Sequence, residues 1–401
     1  MFSESIIKEI SVKTDSKILL LVLDGVGGLP QDGETEMERA KTPNLDNLAS
    51  RSICGLTDAI GDGITPGSGP SHLALFGYDP IKYIIGRGVL EALGIGVELT
   101  HKDMAARGNF ATMDKRGIIV DRRAGRISTG KNREICALLG KEIEKIKGVK
   151  VLIRPGKEHR FVVIFRGEGL NGPVSDADPQ NNGEKAKPAR ALSSKAKKTE
   201  EVANSFIRKA TEVLKSQHPA NTVLLRGISK IPRIPSMGEL FNLSPAAIAT
   251  YPMYKGLARL VGMEILLTGE SIEDELDTLK ENFKKFDFFY LHIKKTDSSG
   301  EDGNLEKKVK AIEEVDRFIP EIMNLKFDVI AITSDHSTPC LLKSHSWHPN
   351  PFLLHSKFIR VDGAKRFTER ECSRGGLGRF PAVNAMSLML ANGLKLRKFG
   401  A

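Results

Sequence analysis

The sequence predicts an α/β protein in which helices cover both faces of a mostly parallel sheet, with a smaller α+β domain inserted into the chain. Three observations carry this expectation. Ile18–Leu23, Phe286–Ile293 and Phe327–Thr333 are largely apolar runs, the pattern of strands buried on both faces, and each leads into an aspartate: Asp24, Asp297 or Asp335. Helical patterns alternate with the later strands, as crossover connections require. Between Gly77 and Lys255 the chain turns rich in Gly, Arg and polar turns before the strand rhythm resumes. We therefore expect a core domain of residues 1–76 and 256–401 and an inserted domain of 77–255, and 401 residues are in any case more than one compact core usually holds.

Taken in order, residues 1–16 are polar with scattered isoleucines and predict an edge strand or a loose start. Lys17–Asp24 is the first strand. Asp24 precedes Gly25 and reads equally as a metal ligand beyond a strand end or as a turn aspartate. Thr42 and Pro43 suit the N-cap and first turn of a helix with Leu45, Leu48 and Ala49 inward. Thr65-Pro-Gly-Ser68-Gly-Pro-Ser-His72 sets a serine between two glycines ahead of a mostly apolar run, with a helix expected to begin just after Pro70. Inside the insertion, His159–Phe165 reads as a short strand, Ser175–Pro179 as a loop and Lys198–Ser216 as a long helix. After Tyr254 the expectation is a helix through Leu257–Val261, strand Glu264–Leu267, helix Ile272–Phe283, the strand at 286–293, helix Leu305–Met323, the strand at 327–333, a strand opening at Phe352 and a last helix Ala382–Leu390.

Composition narrows the function. With 40% hydrophobic and 27% charged residues, neither disorder nor a membrane span is indicated. The apolar run Ile18–Leu23 is too short to cross a bilayer and follows acidic residues, unlike a signal peptide, so a cytoplasmic protein without a membrane partner is expected. Cys54, Cys136, Cys340 and Cys372 are scattered without a CxxC pair and read as buried thiols. Much of the net charge of +10 lies in Lys185–Lys209, where Phe206 is the one aromatic, which reads as a solvated helix face, so no nucleic-acid partner is expected. Gly86-Arg-Gly88 and Gly94-Ile-Gly96 do not fit a dinucleotide loop after a strand.

The chemistry gathers around Ser68. Flanking glycines let a substrate approach closely, and a helix starting there aims its free N–H groups at any bound phosphate. Asp, His and serine oxygen are the ligand types that hold Mn²⁺, Mg²⁺ or Zn²⁺, and ligands collected from several strand ends suggest a metal cluster. Two ions could clamp both the attacking and leaving oxygens of an in-line phosphoryl displacement, with Ser68 as nucleophile. Arginines of the insertion suit phosphate or carboxylate, which guanidinium forks grip two bonds at a time.

Leu23-Asp24-Gly25, Pro66-Gly-Ser68-Gly-Pro-Ser-His72, His292-Ile-Lys-Lys-Thr-Asp297 and Thr333-Ser-Asp335-His336-Ser-Thr-Pro339 together resemble the archaeal type of cofactor-independent phosphoglycerate mutase, a branch of the alkaline phosphatase superfamily. The resemblance covers essentially the whole chain. Gly86-Arg-Gly88 with Glu91-Ala-Leu-Gly94, Asp121-Arg-Arg-Ala-Gly-Arg126 and Arg166-Gly-Glu-Gly169 also resemble that branch, and more specifically than the metal motifs.

The resemblance implies an alkaline-phosphatase-like core and two divalent ions, Mn²⁺ or Mg²⁺ in the first place with Co²⁺ and Zn²⁺ as alternatives. It implies one ion on Asp24, Ser68, Asp335 and His336, and another on Asp297, the residue four positions later, and His345. There the family usually has histidine and this chain has Glu301, whose carboxylate would favour harder ions. His348 is a spare candidate for His345. The implied activity is interconversion of 3-phosphoglycerate and 2-phosphoglycerate, a step of glycolysis and gluconeogenesis, through a phosphoserine at Ser68, with domain closure retaining the glycerate; a phosphomonoesterase of the same superfamily is the alternative. Arg122, Arg123 and Arg126, with Arg160 and Arg226 as further choices, would bind this phosphorylated three-carbon acid, Lys255 would stabilise phosphoryl oxygens, and His72 would touch the phosphate or cap its helix.

Overall fold

The computed structural model describes residues 4–400, in which the chain forms two compact units, one of residues up to Ile84 together with Ile234 onward, the other of Ile85–Arg233. In chain order the strands are β1 Ile18–Leu23, β2 Ile53–Asp58, β3 Asp103–Met113, β4 Ile119–Asp121, β5 Lys145–Ile146, β6 Val149–Pro155, β7 Arg160–Arg166, β8 Thr222–Ser229, β9 Pro245–Ile248, β10 Glu264–Ile265, β11 Phe288–Ile293, β12 Val329–Thr333, β13 Asn350–Ser356 and β14 Gly378–Pro381. No helix among the described residues is long and apolar enough to cross a membrane.

The larger unit is built on a sheet of order β10-β9-β11-β1-β12-β13-β2-β14. Only β13 runs against the rest, antiparallel to both β12 and β2. β1, β11 and β12 are buried at every position, which is why their sequences are continuous in apolar residues rather than alternating. One extended apolar cluster packs Leu45 and Leu48 of the helix Pro43–Ala49 and Leu276 and Leu279 of the helix Ile272–Asn282 against Leu19, Leu21, Phe289 and Ile330 of the sheet. Three expectations shift here. The N-terminal segment is a helix, Glu4–Ile10, not a strand. The helix expected over 305–323 is two, Leu305–Asp316 and Ile319–Asn324, because Pro320 in the second one's first turn brings no N–H and disfavours helical geometry just before it. The smaller unit is narrower than 77–255, since β9 is hydrogen-bonded to β11 and the helix Pro252–Leu260 follows it in the larger unit.

The smaller unit has a sheet of order β4-β3-β7-β6-β5, with β8 on the other edge of β3. Its helices Thr129–Glu142 and Lys197–Val213 cover one face, burying Met104, Ala106, Phe110, Phe161, Phe165 and Phe206 in a second core. Alternate residues of β3 therefore point to the opposite face.

Candidate active site

β11, β1 and β12 are neighbours in the sheet, so the segments leaving their carboxyl ends meet. β1 leads directly into Asp24, β11 into the helix Lys295–Glu301 that contains Asp297, and β12 into the loop with Asp335, His336 and Thr338. Asp24, Asp335 and His336 form one group that could hold a cation, and Asp297, His336 and His345 form another, the donor atoms in each lying within 4.8 Å of one another. Ser68 opens the helix Ser68–Leu75, three residues earlier than expected, with Pro70 inside the first turn, where a missing N–H breaks no helical bond. Its Oγ lies 3.2 Å from His336 Nε2. The His336 and His345 rings stack at 3.5 Å, and His345 Nδ1 sits 3.0 Å from the carbonyl of Pro66 in the loop before Ser68. Gly25 is required where it is: its φ is +62°, and a Cβ there would come within 2.5 Å of Thr338 Oγ1 and 2.7 Å of Asp297 Oδ1.

The site holds more negative charge than its own cations balance. Lys294 Nζ is 2.9 Å from Asp24 Oδ2 and bonds Asp297 as well, and Tyr254 donates its hydroxyl to Asp24 at 2.5 Å. Burial raises the Asp24 pKa, as does Asp335, yet nearby His292 and Lys294 more than offset both and hold it below the ordinary carboxylate range. Burial opposes charge on His336 too, but Asp335, Asp24 and Asp297 raise its pKa to about 9. Asp24 Oδ1 and Asp335 Oδ2 are nevertheless buried without an aligned hydrogen-bond donor. Orphaned carboxylate oxygens facing an imidazole are the arrangement a cation completes, since buried charge is otherwise strongly disfavoured, and the donor set fits divalent ions.

Several expected site residues lie elsewhere. Glu301 belongs to neither group and is exposed at the end of its helix. The rotation of that helix is set by Gly300, where any Cβ would stand 2.2 Å from the Thr338 carbonyl oxygen; Asp297 is buried and Glu301 falls outside the contact. His348 also stays out, with Nδ1 3.0 Å from Ser346 Oγ. His72 is fully buried, one turn below Ser68, with Nδ1 2.8 Å from the Ser68 carbonyl and 3.3 Å from Asp335 Oδ2, so its ring supports the helix and Asp335. Burial lowers its pKa to about 4, keeping it neutral. Lys255 acts on buried Glu275, whereas the preceding Tyr254 faces Asp24. Sequence reasoning missed Tyr254, His292, Lys294 and Thr338. Lys294 was within sight, three residues before Asp297 in the strand-end motif, but Tyr254 carries no signal of its own.

In the smaller unit, Arg107 of β3 is paired with Arg226 of β8 and Asn109 of β3 with Arg160 of β7, so all four share the face opposite the apolar core. Asp121 accepts from the N–H groups of Arg123 and Gly125 at 2.8 and 2.6 Å, shaping a tight turn with positive φ at Ala124, Gly125 and Arg126. Of the expected anion ligands, Arg122 spends its fork on buried Asp178, at 2.8 and 2.7 Å, and Arg226 lies 3.3 Å from Asp176. Arg123 and Arg126 are exposed. Burial chiefly, then Arg160, Arg107 and Arg123, lower the His159 pKa to about 4 against the pull of Glu158, which places three arginine fields around one point. Arg107, 3.3 Å from Glu91, had no motif to mark it.

A serine hydroxyl at a helix start, set among two overlapping groups that could hold cations at the ends of adjacent parallel strands, is the arrangement of an α/β enzyme. The comparisons give the particular family. Residues 49–221 match the family model described as 2,3-bisphosphoglycerate-independent phosphoglycerate mutase. A Thermosipho melanesiensis protein is 55% identical, with 99% of each chain aligned, and one from Aquifex aeolicus is 53% identical over 99% of this chain and all of its own; both carry the name "Probable 2,3-bisphosphoglycerate-independent phosphoglycerate mutase". Among solved structures, a Pyrococcus horikoshii protein superimposes with a TM-score of 0.84 at 32% identity, covering 97% of this chain and 100% of that one. The cofactor-independent phosphoglycerate mutase of Thermoplasma acidophilum superimposes with a TM-score of 0.72 at 29% identity, covering 94% and 100%. The chain belongs to the 2,3-bisphosphoglycerate-independent phosphoglycerate mutase family.

Proposed function

We propose that this enzyme interconverts 3-phosphoglycerate and 2-phosphoglycerate through a phosphoserine at Ser68, without bisphosphoglycerate. The observation that carries the mechanism is Ser68 Oγ, 3.2 Å from Nε2 of His336, the residue that both cation-holding groups share. Ser68 Oγ forms a bond to phosphorus as the bond to the C3 oxygen breaks, and the proton leaving the serine hydroxyl neutralises the departing alkoxide. The reverse step returns the phosphoryl group to the C2 oxygen. Divalent ions on Asp24, Asp335, His336, Asp297 and His345, with Mn²⁺ or Mg²⁺ suited to so carboxylate-rich a set, would supply charge neutralisation and a lowered pKa for the serine hydroxyl. The chain's own groups orient and neutralise: Lys294 stands beside Asp24 and Asp297, and the free N–H groups opening the Ser68–Leu75 helix favour a phosphoryl anion. Arg123, Arg126, Arg160 and Arg107 are the groups we assign to the substrate's carboxylate and phosphate.

The test is turnover of 3-phosphoglycerate coupled to enolase, with no bisphosphoglycerate added and inorganic phosphate followed in parallel. We expect 2-phosphoglycerate to form much faster than phosphate is released. Stoichiometric phosphate release without 2-phosphoglycerate would make the protein a phosphomonoesterase instead.

A further inference from the structure

Behind the ligand loops lies a buried lysine that the reaction as described does not use. Lys308, on the helix Leu305–Asp316, has no exposed surface. Its Nζ donates to the carbonyl of Gly27 at 3.0 Å and to that of Thr338 at 2.9 Å, and Glu36 Oε1 lies 3.6 Å away. The three ammonium protons thus face two carbonyls and a carboxylate. Gly27 closes the turn after Asp24, and Thr338 the turn after Asp335 and His336. Glu36 in addition accepts from the Cys340 N–H at 2.8 Å, and Glu369 accepts from the Gly28 N–H at 2.8 Å. The two turns also meet directly, the Thr338 N–H lying 3.2 and 3.1 Å from the carbonyls of Gly25 and Gly27. From the same residue, Thr338 Oγ1 reaches forward to Asp297 Oδ1 at 2.7 Å and His336 Nδ1 at 3.0 Å, bridging both ligand groups.

We propose that Lys308 is a positioning residue: by clamping the turns after Asp24 and His336 it sets the spacing of the two cation-holding groups through Thr338. Stability alone does not account for it, because a buried ion pair is commonly matched or bettered by apolar residues of similar volume, and a methionine would fill the same channel. Groups behind metal ligands, by contrast, alter metal affinity by roughly 10–100-fold when removed. The inference rests on the metal reading given above.

The experiment measures Mn²⁺ binding to the full-length, chelator-stripped protein by calorimetry, with thermal unfolding of the apoprotein alongside. Lys308→Met should weaken Mn²⁺ binding at least tenfold while KM for 3-phosphoglycerate at saturating Mn²⁺ stays within twofold. Leu279→Ala, a core truncation in the helix Ile272–Asn282, should lower the melting temperature and leave Mn²⁺ binding unchanged. If Lys308→Met does not fold, the double variant Lys308→Met/Glu36→Gln, which leaves no unpaired buried carboxylate, is measured in its place. A folded variant with wild-type Mn²⁺ affinity overturns the proposal, and so does failure of both variants to fold, which would make Lys308 a determinant of the fold alone. Asp335→Asn separates the two levels: if it also binds Mn²⁺ like wild type, the metal reading itself falls, whereas if it loses Mn²⁺ and Lys308→Met does not, only the role of Lys308 does.

Discussion

The two units handle buried charge in opposite ways. In the larger one, Asp24, Asp297 and Asp335 converge, with the Lys294 ammonium in contact with the first two, and orphaned carboxylate oxygens remain. In the smaller one, arginines converge, but Asp178, Asp176 and Glu91 already engage Arg122, Arg226 and Arg107. The first arrangement is one that a cation would complete. The second is mostly satisfied, and what it retains is a positive field with a few guanidinium groups open to solvent. On the function proposed above, a centre that binds metal stays unsatisfied in the protein alone, whereas a surface that binds and releases an anion is rigidified internally first.

The largest expected effect breaks the first half of this comparison. Ser68→Ala should abolish mutase activity in a folded protein, a loss on the order of 10⁶, as when a hydrolase loses its serine; enolase-coupled activity within tenfold of wild type would remove Ser68 from the chemistry.

Next in size is metal affinity. Asp335→Asn removes a buried charged ligand and should weaken Mn²⁺ binding by more than ~100-fold, beyond what outer groups command. His348→Ala and Glu301→Ala, both outside the groups, should change it less than about twofold. Calorimetric titration of the three variants checks the assignment, and a large loss on Glu301→Ala would restore that carboxylate as a ligand.

A third expectation concerns a carboxyl in the larger unit that no close cation compensates. Burial raises the Glu275 pKa from an ordinary 4.5 to about 8, against the weaker pull of Lys295 and Lys255. Between those values the folded protein keeps a proton that the unfolded chain has released, so the stability this group contributes is present below pH 4.5 and lost as pH rises toward 8. The loss should be roughly 1 kcal/mol per pH unit. Urea unfolding from pH 5 to 8 should show Glu275→Gln gaining on wild type steadily with pH; parallel curves would mean the carboxyl ionises freely.

The smallest effects sharpen the arginine side. Arg122→Ala removes the guanidinium fork from the buried Asp178 carboxylate and should destabilise the protein by about 1–3 kcal/mol. Arg126→Ala, exposed at its turn, should leave stability within about 0.5 kcal/mol and act on KM for 3-phosphoglycerate. Equal thermal shifts with equal KM would show that the two arginines share one role.

Three central strands and their carboxyl ends were legible in the residues alone. Burial on both faces demands continuous apolar runs, so β1, β11 and β12 announce themselves, and the aspartates following them mark where an open parallel sheet places its chemistry. Ser68, His336 and His345 were readable on the same grounds, through local motifs that resemble a known family. Orientation and pairing came from packing, not from local sequence. Asp297 and Glu301 stand four apart on one helix, yet the close approach at Gly300 buries the first and leaves the second in solvent. His72 shares a motif with Ser68, but one helical turn sends it under the site. Tyr254 and Thr338 acquire roles only because β9, β11, β1 and β12 lie side by side, and Arg107 joins Arg160 and Arg226 only through the register of three strands. These are long-range facts: a side chain's partner across a sheet is set by packing of the whole unit, and no local pattern of residues encodes it.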